Sequence, residues 1–348
     1  MASSVVGIDI GSSALRAVEV SDADKAKPML LRYHEVLLPY GAVSRGEVVE
    51  PNTVAAALKS LWSAGGFKSK NVVLGMGNHR VLARDLTVPK ASIKRIRESL
   101  PFQVQDMLPV PVADALLDFY PISERAGENG PEVNGLLIAA VKEAVAGNVR
   151  AVQLAGLTPV EVDLIPFALS RVIHRGAQSE GAVVQIDVGV GTTTVVVNLA
   201  GVPQFVRLIP TGGGDLTQAL VVRLGITAEA AEALKRSVGL ATRAAPENEA
   251  AYTIIREVTT ELLNSLRNTV NYFANTRHQM PVTRIVLTGG GAQLGGFSEA
   301  LGEMTRLPVG AAEPSGSVDL GRGVDATALK QTGGAFSVAL GLALGSKA

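Results

Sequence analysis

Two stretches of the chain share one pattern of apolar and polar positions. They are VVGIDIGSSALRAVEV, residues 5–20, and VVQIDVGVGTTTVVVNLAG, residues 183–201. In each, a β-branched apolar run reaches an aspartate, passes through a turn of glycine and small hydroxyl residues, and enters a second β-branched run. Such a pattern predicts a β-hairpin. Its return about half the chain later predicts two related halves.

The remaining stretches alternate between strand and helix patterns. Short β-branched runs predict strands at Val72–Met76, Leu136–Val141 and Arg284–Leu287. Apolar residues at three- and four-residue steps predict a long helix from Ala251 to about His278. Shorter helices are predicted at Ala91–Leu100, Ala144–Ala155, Phe167–His174 and Ala335–Leu344, the last of them buried. This alternation predicts an α/β core.

Three polar, glycine- or proline-containing stretches are predicted to be loops. They are Asp22–Pro28, Ser123–Asn134 and Glu313–Asp325. The second of these is expected to join two strands.

Composition narrows the class of protein. A chain of 348 residues that is 47% hydrophobic can bury a sizeable core and form two domains. The 32 basic and 32 acidic residues balance, so no long-range field favours nucleic acid or anionic lipid. The lack of cysteine excludes disulfides and thiolate metal sites and fits a reducing cytoplasm. Since no signal-peptide pattern and no apolar run of roughly 18 residues is present, we expect no direct membrane insertion.

The first glycine turn is a candidate phosphate site. Asp9 ends a strand and is followed by Gly11, Ser12 and Ser13, with Arg16 farther on. A carboxylate at a strand end can hold a Mg²⁺-bound water, and a glycine turn lets backbone N–H groups approach phosphate oxygens. Arg16 could add a positive charge on the same side. The alternative is an ordinary hairpin whose aspartate accepts hydrogen bonds from the turn.

The second glycine turn repeats the first. Asp187 is followed by four candidate phosphate-binding residues, Gly189, Gly191, Thr192 and Thr193. Either turn alone could be ordinary turn chemistry. A hairpin requires neither the repeated aspartate nor its repeated offset to glycine, so the pair indicates a shared function.

Two further glycine turns are candidates for nucleotide contacts. Gly289, Gly290 and Gly291 follow a predicted strand and precede a possible helix start at Gln293 or Phe297, an arrangement suited to a flat base or a phosphate. The turn at residues 211–215, which contains Gly213, could floor a nucleotide, although capping of the following helix is slightly favoured.

A charged pair follows that turn. Glu232 and Lys235 stand one helical turn apart, which is more often a solvated helix face.

In chain order, three motifs resemble those of the actin, Hsp70 and hexokinase superfamily. GIDIGSSALRAVEV, QIDVGVGTTTVVVNLAG and VLTGGGAQLGGFSEAL are similar to its phosphate-1, phosphate-2 and adenosine motifs. The resemblance covers nearly the whole chain and implies a duplicated actin-like, ribonuclease H-like fold.

More narrowly, RDLTVP and the following PFQVQDMLPVPVADALLDFYPI resemble the subdomain that the PilM and FtsA families insert into the first half. GLLIAAVKEAVAGNVRAVQLAGLTPVEVDLIPFALSRVI and GDLTQAL with AEALKR fit the same pattern. The chain therefore resembles the PilM family of type IV pilus assembly proteins, relatives of FtsA. The resemblance implies a first half at 1–180 with an insertion at about 82–160, a second half at 181–330, and a C-terminal helix at 331–348 that returns to the first half.

The resemblance also implies site roles. Asp9 and Asp187 would face Mg²⁺ and its waters, with Asp187 also orienting the attacking water if ATP is hydrolysed. The glycine and hydroxyl residues of both turns would cradle the phosphates of ATP. Glu232 and Lys235 would meet the ribose or the edge of the base, and Gly289–Gly291 would floor the adenosine.

Two departures from the family pattern stand out. Arg16 replaces the more usual lysine, which exchanges a point donor for a planar fork. Gln103 and Gln105 occupy positions that usually carry glutamates, so at most a slow ATPase is expected.

The function implied is an ATP-binding scaffold of the pilus assembly platform. It would lie in the cytoplasm at the inner face of the cytoplasmic membrane and bind the N-terminal tail of a PilN-like membrane protein. Self-association of the chain is a further expected interaction.

Two alternatives stay open. An FtsA-like filament would need an amphipathic helix beyond the last core helix, and the sequence here ends in GSKA. A sugar or acetate kinase would need a general base, for which we assign no residue between the two phosphate loops.

Overall fold

The computed structural model describes residues 4–128, 130–174, 180–240 and 245–345, and of His174, Pro314 and Ser315 only the backbone. Its strands are β1 Ser4–Ile10, β2 Ala14–Ser21, β3 Met29–Leu37, β4 Val43–Ser44, β5 Glu47–Val48, β6 Asn71–Met76, β7 Val81–Pro89, β8 Ala115–Gly127, β9 Gly130–Val141, β10 Thr158–Leu164, β11 Ala182–Val188, β12 Thr193–Leu199, β13 Val202–Ile209, β14 Val282–Thr288, β15 Val309–Ala311 and β16 Asp319–Leu320.

The helices are α1 Pro51–Gly65, α2 Ile93–Gln103, α3 Lys142–Leu154, α4 Ile165–His174, α5 Gly213–Leu224, α6 Ala228–Val238, α7 Glu249–Thr276, α8 Phe297–Thr305, α9 Ala326–Gln331 and α10 Ser337–Gly345. Within the described ranges, none of them has the length and apolar character required to cross a bilayer.

Two large sheets repeat one topology. The first has the order β10-β6-β1-β2-β3-β16, and the second β13-β12-β11-β14-β15. In each, an antiparallel three-strand meander begins with the predicted hairpin, and a parallel strand, β6 or β14, pairs with the hairpin's first strand. The duplication predicted from the sequence is therefore confirmed.

Helices cover both faces of the first sheet. Its β1 and β2 side chains pack on α4 and α10 on one face and on α1 and α3 on the other. Gly7 lets α10 approach β1, since a Cβ there would overlap the Ala339 carbonyl, and Gly341 does the same for α4 against Ala168. The predicted C-terminal helix is thus buried between β1 and α4, although residues 346–348 lie outside the described part.

A third sheet, of order β7-β9-β8 with α2 on it, stands between the two halves. Its side chains Val81, Leu136 and Ile138 share an apolar cluster with Val196 of β12 and Val206 of β13. An ion pair between Asp85 and Arg277, 2.8 Å apart, adds a polar contact to the same interface. This sheet therefore touches the second half as well as the first.

The prediction of a loop at Ser123–Asn134 is wrong. Apart from Glu128 and residue 129, which lies outside the described part, these residues extend β8 and β9 into a long hairpin. Arg125 pairs with Glu132 across it, and Lys90 of the neighbouring chain segment pairs with Glu124. Cross-strand ion pairs of this kind stabilise strands whose composition favours turns.

The other predicted elements are confirmed with small shifts of boundary. The region 313–325 is largely loop, but β16 within it joins the first sheet beside β3. Gly290 and Gly291 begin a short 3₁₀ segment at Gly290–Gln293 that precedes α8, so the helix begins at Phe297.

Candidate functional site

The two aspartate turns have the same backbone geometry. Gly11 N–H donates to the Ala14 carbonyl at 3.1 Å, and Gly189 N–H donates to the Thr192 carbonyl at 2.9 Å. In the strand register Asp9 lies opposite Arg16, as Asp187 lies opposite Thr194. Each carboxylate therefore stands two residues before the glycine of an equivalent turn, one on each large sheet.

The two carboxylates face a common space. Burial raises the pKa of Asp9 to about 6; Arg16 lowers it, and the charges of Asp187 and Glu35 raise it. Burial also raises the pKa of Asp187, against the lowering effects of the Thr288 hydroxyl and of Arg16. Because the charge of Asp187 acts on Asp9 and the charge of Arg16 acts on Asp187, the two turns lie near each other across the boundary between the two halves.

Arg16 is engaged by carboxylates of the first half. Its Nη1 lies 3.8 Å from Asp9 Oδ2, and its Nε lies 2.5 Å from Glu35 Oε2. In this state its charge offsets the carboxylates beside the first turn. The positive charge predicted for Arg16 therefore lies beside Asp9, and it is already paired with carboxylates of the first half.

Glycines let three turns of the second half stack backbone against backbone. Gly213 N–H donates to the Gly189 carbonyl at 2.9 Å, and Gly214 N–H donates to Val190 at 2.7 Å. A Cβ on Gly212 would overlap those same carbonyls. The start of α5 is thereby fixed directly behind the second glycine turn, at residues 189–192, while the Asp215 carboxylate caps α5 through Gly212 N–H at 2.8 Å.

The third glycine turn, Gly289–Gly291, packs against Val188 at the end of β11, just before the second glycine turn. Gly289 has a φ of +85°, and a Cβ on it or on Gly291 would collide with Val188. Gly290 alone of the three predicted glycines has open space where a Cβ would stand. An approaching flat group would therefore meet the least obstruction at Gly290.

Glu232 and Lys235 do not form a solvated face. Lys235, whose side chain is 12% exposed, donates to the Gly213 carbonyl at 3.1 Å and to the Thr217 hydroxyl at 2.9 Å. Burial raises the pKa of Glu232, but hydrogen bonds from Lys235, Arg236 and Thr217 outweigh it and lower the pKa to about 2. The pair is thus a fixed charged group beside the start of α5.

One predicted phosphate contact points elsewhere. Thr193 begins β12, is fully buried, and its hydroxyl donates to the Thr211 carbonyl at 2.7 Å. The register aligns Gly11 with Gly189 and Ala14 with Thr192, so Thr193 matches Leu15, a core residue. Thr193 supports the neighbouring turn, whereas Thr192 stays partly exposed at the cleft.

The two glutamines that replace the usual glutamates lie on the third sheet's helical segment. Gln103 ends α2 and donates to Ser99 of the same helix at 2.8 Å, and Gln105 begins the next turn. Both side chains are exposed.

Sequence reasoning missed Arg45. It stands at the tip of the β4–β5 hairpin in the first half, yet its guanidinium reaches the Pro210 carbonyl and Asp215 of the second half. The only local sequence signal is Gly46, which can adopt the positive φ that a tight hairpin turn requires.

Comparison with known proteins shows which family the chain is similar to. A family model described as type IV pilus assembly protein PilM matches residues 7–347. A solved PilM–PilN type IV pilus biogenesis complex contains a chain 30% identical to this one; the match covers 98% of this chain and 97% of that chain, with a TM-score of 0.85.

Two more distant relatives agree with the fold. MreB 5 of Spiroplasma citri bound to AMPPNP is 11% identical, covers 97% of this chain and 94% of its own, and has a TM-score of 0.54. The cell division protein FtsA of Bacillus subtilis strain 168 is 22% identical over 67% of this chain, and the match spans only 58% of the FtsA length.

The predicted actin-like fold is therefore confirmed, with two related sheets facing each other across a cleft. Since the PilM family model extends over all but the ends of the sequence, the chain belongs to the family of type IV pilus assembly protein PilM.

Proposed function

We propose that the chain is an ATP-binding scaffold of the type IV pilus assembly platform. The observation that carries this proposal is the meeting of two equivalent Asp-x-Gly turns from opposite sheets. Such a pair surrounds a triphosphate and its Mg²⁺ from both sides and so lets binding set the angle between the halves.

The residues present fit a magnesium nucleotide. Asp9 and Asp187 are acidic groups whose pKa values are raised by burial, and the charge of Asp187 also raises that of Asp9, a conflict that a cation relieves. No group of three or more metal-ligating side chains occurs in the described ranges. The two aspartates alone are enough for Mg²⁺ beside a nucleotide, because this ion keeps several waters and is held by one or two carboxylates together with the phosphates.

The chain's own residues would divide the binding between them. Backbone N–H groups and hydroxyls of the turns at 11–13 and 189–192 would hold phosphate oxygens. Bound Mg²⁺ would neutralise phosphate charge. Glu232 and Lys235, held rigid beside Gly213, would face the ribose or base, and Gly290 would lie under the base.

Hydrolysis, if present, would be slow. Asp187 could orient a water, but no partner base is assigned among the described residues, and the exposed Gln103 and Gln105 carry no carboxylate to remove its proton. Scaffolding rather than turnover is therefore the proposed role.

The proposed partner is the N-terminal cytoplasmic tail of a PilN-like membrane protein. The similar PilM chain was solved in a complex with PilN, and 30% identity over nearly the full length supports a shared mode of assembly. Binding such a tail would hold the chain at the inner face of the cytoplasmic membrane.

The test is titration of the purified chain with a synthetic peptide from the PilN-like neighbour, with and without ATP and Mg²⁺. The proposal predicts saturable binding of the peptide and a change in its affinity when ATP is present. Absence of peptide binding under both conditions would refute the scaffold.

An FtsA-like filament is the second candidate, favoured by the similarity to FtsA of Bacillus subtilis. It predicts that the isolated protein sediments with lipid vesicles and forms polymers with ATP. The scaffold predicts neither without the partner.

A further inference from the structure

The side chain of Arg45, at the tip of the β4–β5 hairpin of the first half, reaches the second half. Arg45 Nη1 donates to the Pro210 carbonyl, and Nη2 lies 3.1 Å from Asp215 Oδ1. The stem of the same side chain passes beside Gly191, where an added Cβ would come within 3.2 Å of Arg45 Cγ. One residue of the first half thus contacts both the second phosphate turn and the segment behind it.

The segment that Arg45 holds also fixes the second phosphate turn. The Thr211 carbonyl, one residue beyond Pro210, accepts the Thr193 hydroxyl. Gly213 and Gly214 then donate to the carbonyls of Gly189 and Val190. A shift of Pro210 and Asp215 away from the first half would therefore carry the turn at 189–192 with it.

The turn of the hairpin places Arg45 at its tip. Arg45 and Gly46 have φ values of +48° and +80°, and a two-residue hairpin turn requires positive φ at both positions. The side chain of Arg45 is thereby carried out to the second half. An exposed ion pair alone would contribute little, but here the same guanidinium also bonds a backbone carbonyl across the cleft.

Buried and charged groups hold the base of the hairpin. Asn148 of α3, fully buried, accepts Val48 N–H at 3.1 Å and donates to the Gly46 carbonyl at 3.3 Å. Glu47 lies 3.1 Å from Arg80 Nε, and Arg80 Nη1 lies 3.5 Å from Glu143.

Those last two residues mark where the chain enters and leaves the third sheet. Arg80 directly precedes β7, and Glu143 follows the end of β9 by two residues. A tilt of the third sheet would move both of them, and with them Glu47 and the hairpin.

We propose that the β4–β5 hairpin is a latch between the halves. Arg45 is a positioning residue that holds the second phosphate turn against the first half, and Glu47 with Arg80 transmits the position of the third sheet to it. That the turn at 189–192 binds phosphate rests on the proposed ATP-binding function. The latch between the halves does not depend on that function.

The test compares three variants of the full chain without ligand. Arg45→Ala removes both contacts, and Arg45→Lys keeps the charge but not the fork. Arg223→Ala is the matched control: Arg223 is 43% exposed, as Arg45 is, and pairs at 2.8 Å with Glu257 inside the second half. The absence of native cysteine allows spin labels at Ser60→Cys and Ser237→Cys, exposed positions on α1 and α6.

We expect Arg45→Ala to broaden the label-to-label distance distribution and to speed amide exchange at Gly213 and Gly214 by about tenfold, because local opening becomes easier. Arg45→Lys should restore part of both effects, and Arg223→Ala should change neither. If Arg45→Ala behaves like Arg223→Ala in both measurements, the latch is refuted.

A fourth variant tests the transmission. Arg80→Ala leaves Arg45 in place but frees Glu47, so we expect it also to speed exchange at Gly213 and Gly214. Wild-type exchange in Arg80→Ala would refute the link to the third sheet. ATP affinity is measured in parallel: wild-type protein that binds no ATP would refute the proposed function, while exchange and label distances would still decide the latch.

Discussion

Asp9 and Asp187 are held where their own charges are unfavourable. Burial raises the pKa of each, and the charge of Asp187 further raises that of Asp9. Without a cation, the ionised pair costs folding free energy, and a bound magnesium nucleotide would relieve that cost. The same feature that suits the site to its proposed ligand therefore makes the ligand-free chain sensitive to pH.

The pH dependence has a definite sign. The pKa of Asp9 rises from 3.8 to about 6 on folding, so the folded chain binds more protons between those values. Stability from this group is present below pH 3.8 and is lost as the pH rises through 6, by about 3 kcal/mol. We expect Asp9→Asn to remove this loss in urea denaturation at pH 4 and pH 7 without nucleotide. Asp24→Asn, an exposed control in the β2–β3 loop, should keep the wild-type difference.

Substitutions at Thr192 and Thr193 are expected to affect different properties, ATP affinity for the first and free energy of unfolding for the second. Thr193→Val would leave the partly buried Thr211 carbonyl without its hydroxyl donor, so we expect a loss of about 1 kcal/mol in free energy of unfolding. ATP affinity should change little. Thr192→Val should do the opposite, weakening ATP binding with little effect on unfolding. Denaturation and titration of both variants check this, and equal effects on affinity would contradict the register-based assignment.

Some residues near the candidate site could be predicted from the sequence and others could not. The aspartates and glycines could be predicted because their chemistry is repeated. The role of Thr193 could not, because a shift of one residue in a strand moves a side chain to the other face. The contact of Arg45 with the second half could not be predicted either, because its partners are 165 and 170 residues away.

At the scale of elements, apolar periodicity predicted most of the helices and strands. The one wrong prediction, a loop at Ser123–Asn134, is explained by pairing between strands. The hairpins of β1–β2 and β11–β12 follow from local sequence alone. The outer part of the β8–β9 hairpin does not, because residues typical of loops are held as strand by partners such as Glu132 across from Arg125. Local composition cannot reveal such pairs.

The tight contact between α10 and α4 gives a prediction about packing. A Cβ at Gly341 would overlap the Ala168 carbonyl, so Gly341→Ala must separate α10 from α4. We expect it to destabilise the chain by about 3 kcal/mol or more. Gly147→Ala on α3 is the matched control; its nearest atom would be 3.8 Å away, and helix propensity should stabilise it by about 0.5–1 kcal/mol. Equal melting temperatures for the two variants would contradict the packing argument.

For the whole molecule, the sequence predicted two halves and an insertion, but not how they touch. The division at 1–180, 181–330 and 331–348 stays a prediction. We propose a shorter insertion than 82–160, ending near Val141, because α3 packs on α1 in the first core. The third sheet also contacts β13, a contact between distant segments that no local pattern indicates.

The central claim is that ATP and Mg²⁺ are held between two equivalent acidic turns, one from each half. The direct measurement is calorimetric titration of the chain with ATP in Mg²⁺, alongside its melting temperature. We expect one saturable site, a rise of several degrees at saturation, and loss of both in Asp187→Asn. No heat and no rise in melting temperature for the wild-type chain at saturating ATP and Mg²⁺ would contradict the claim.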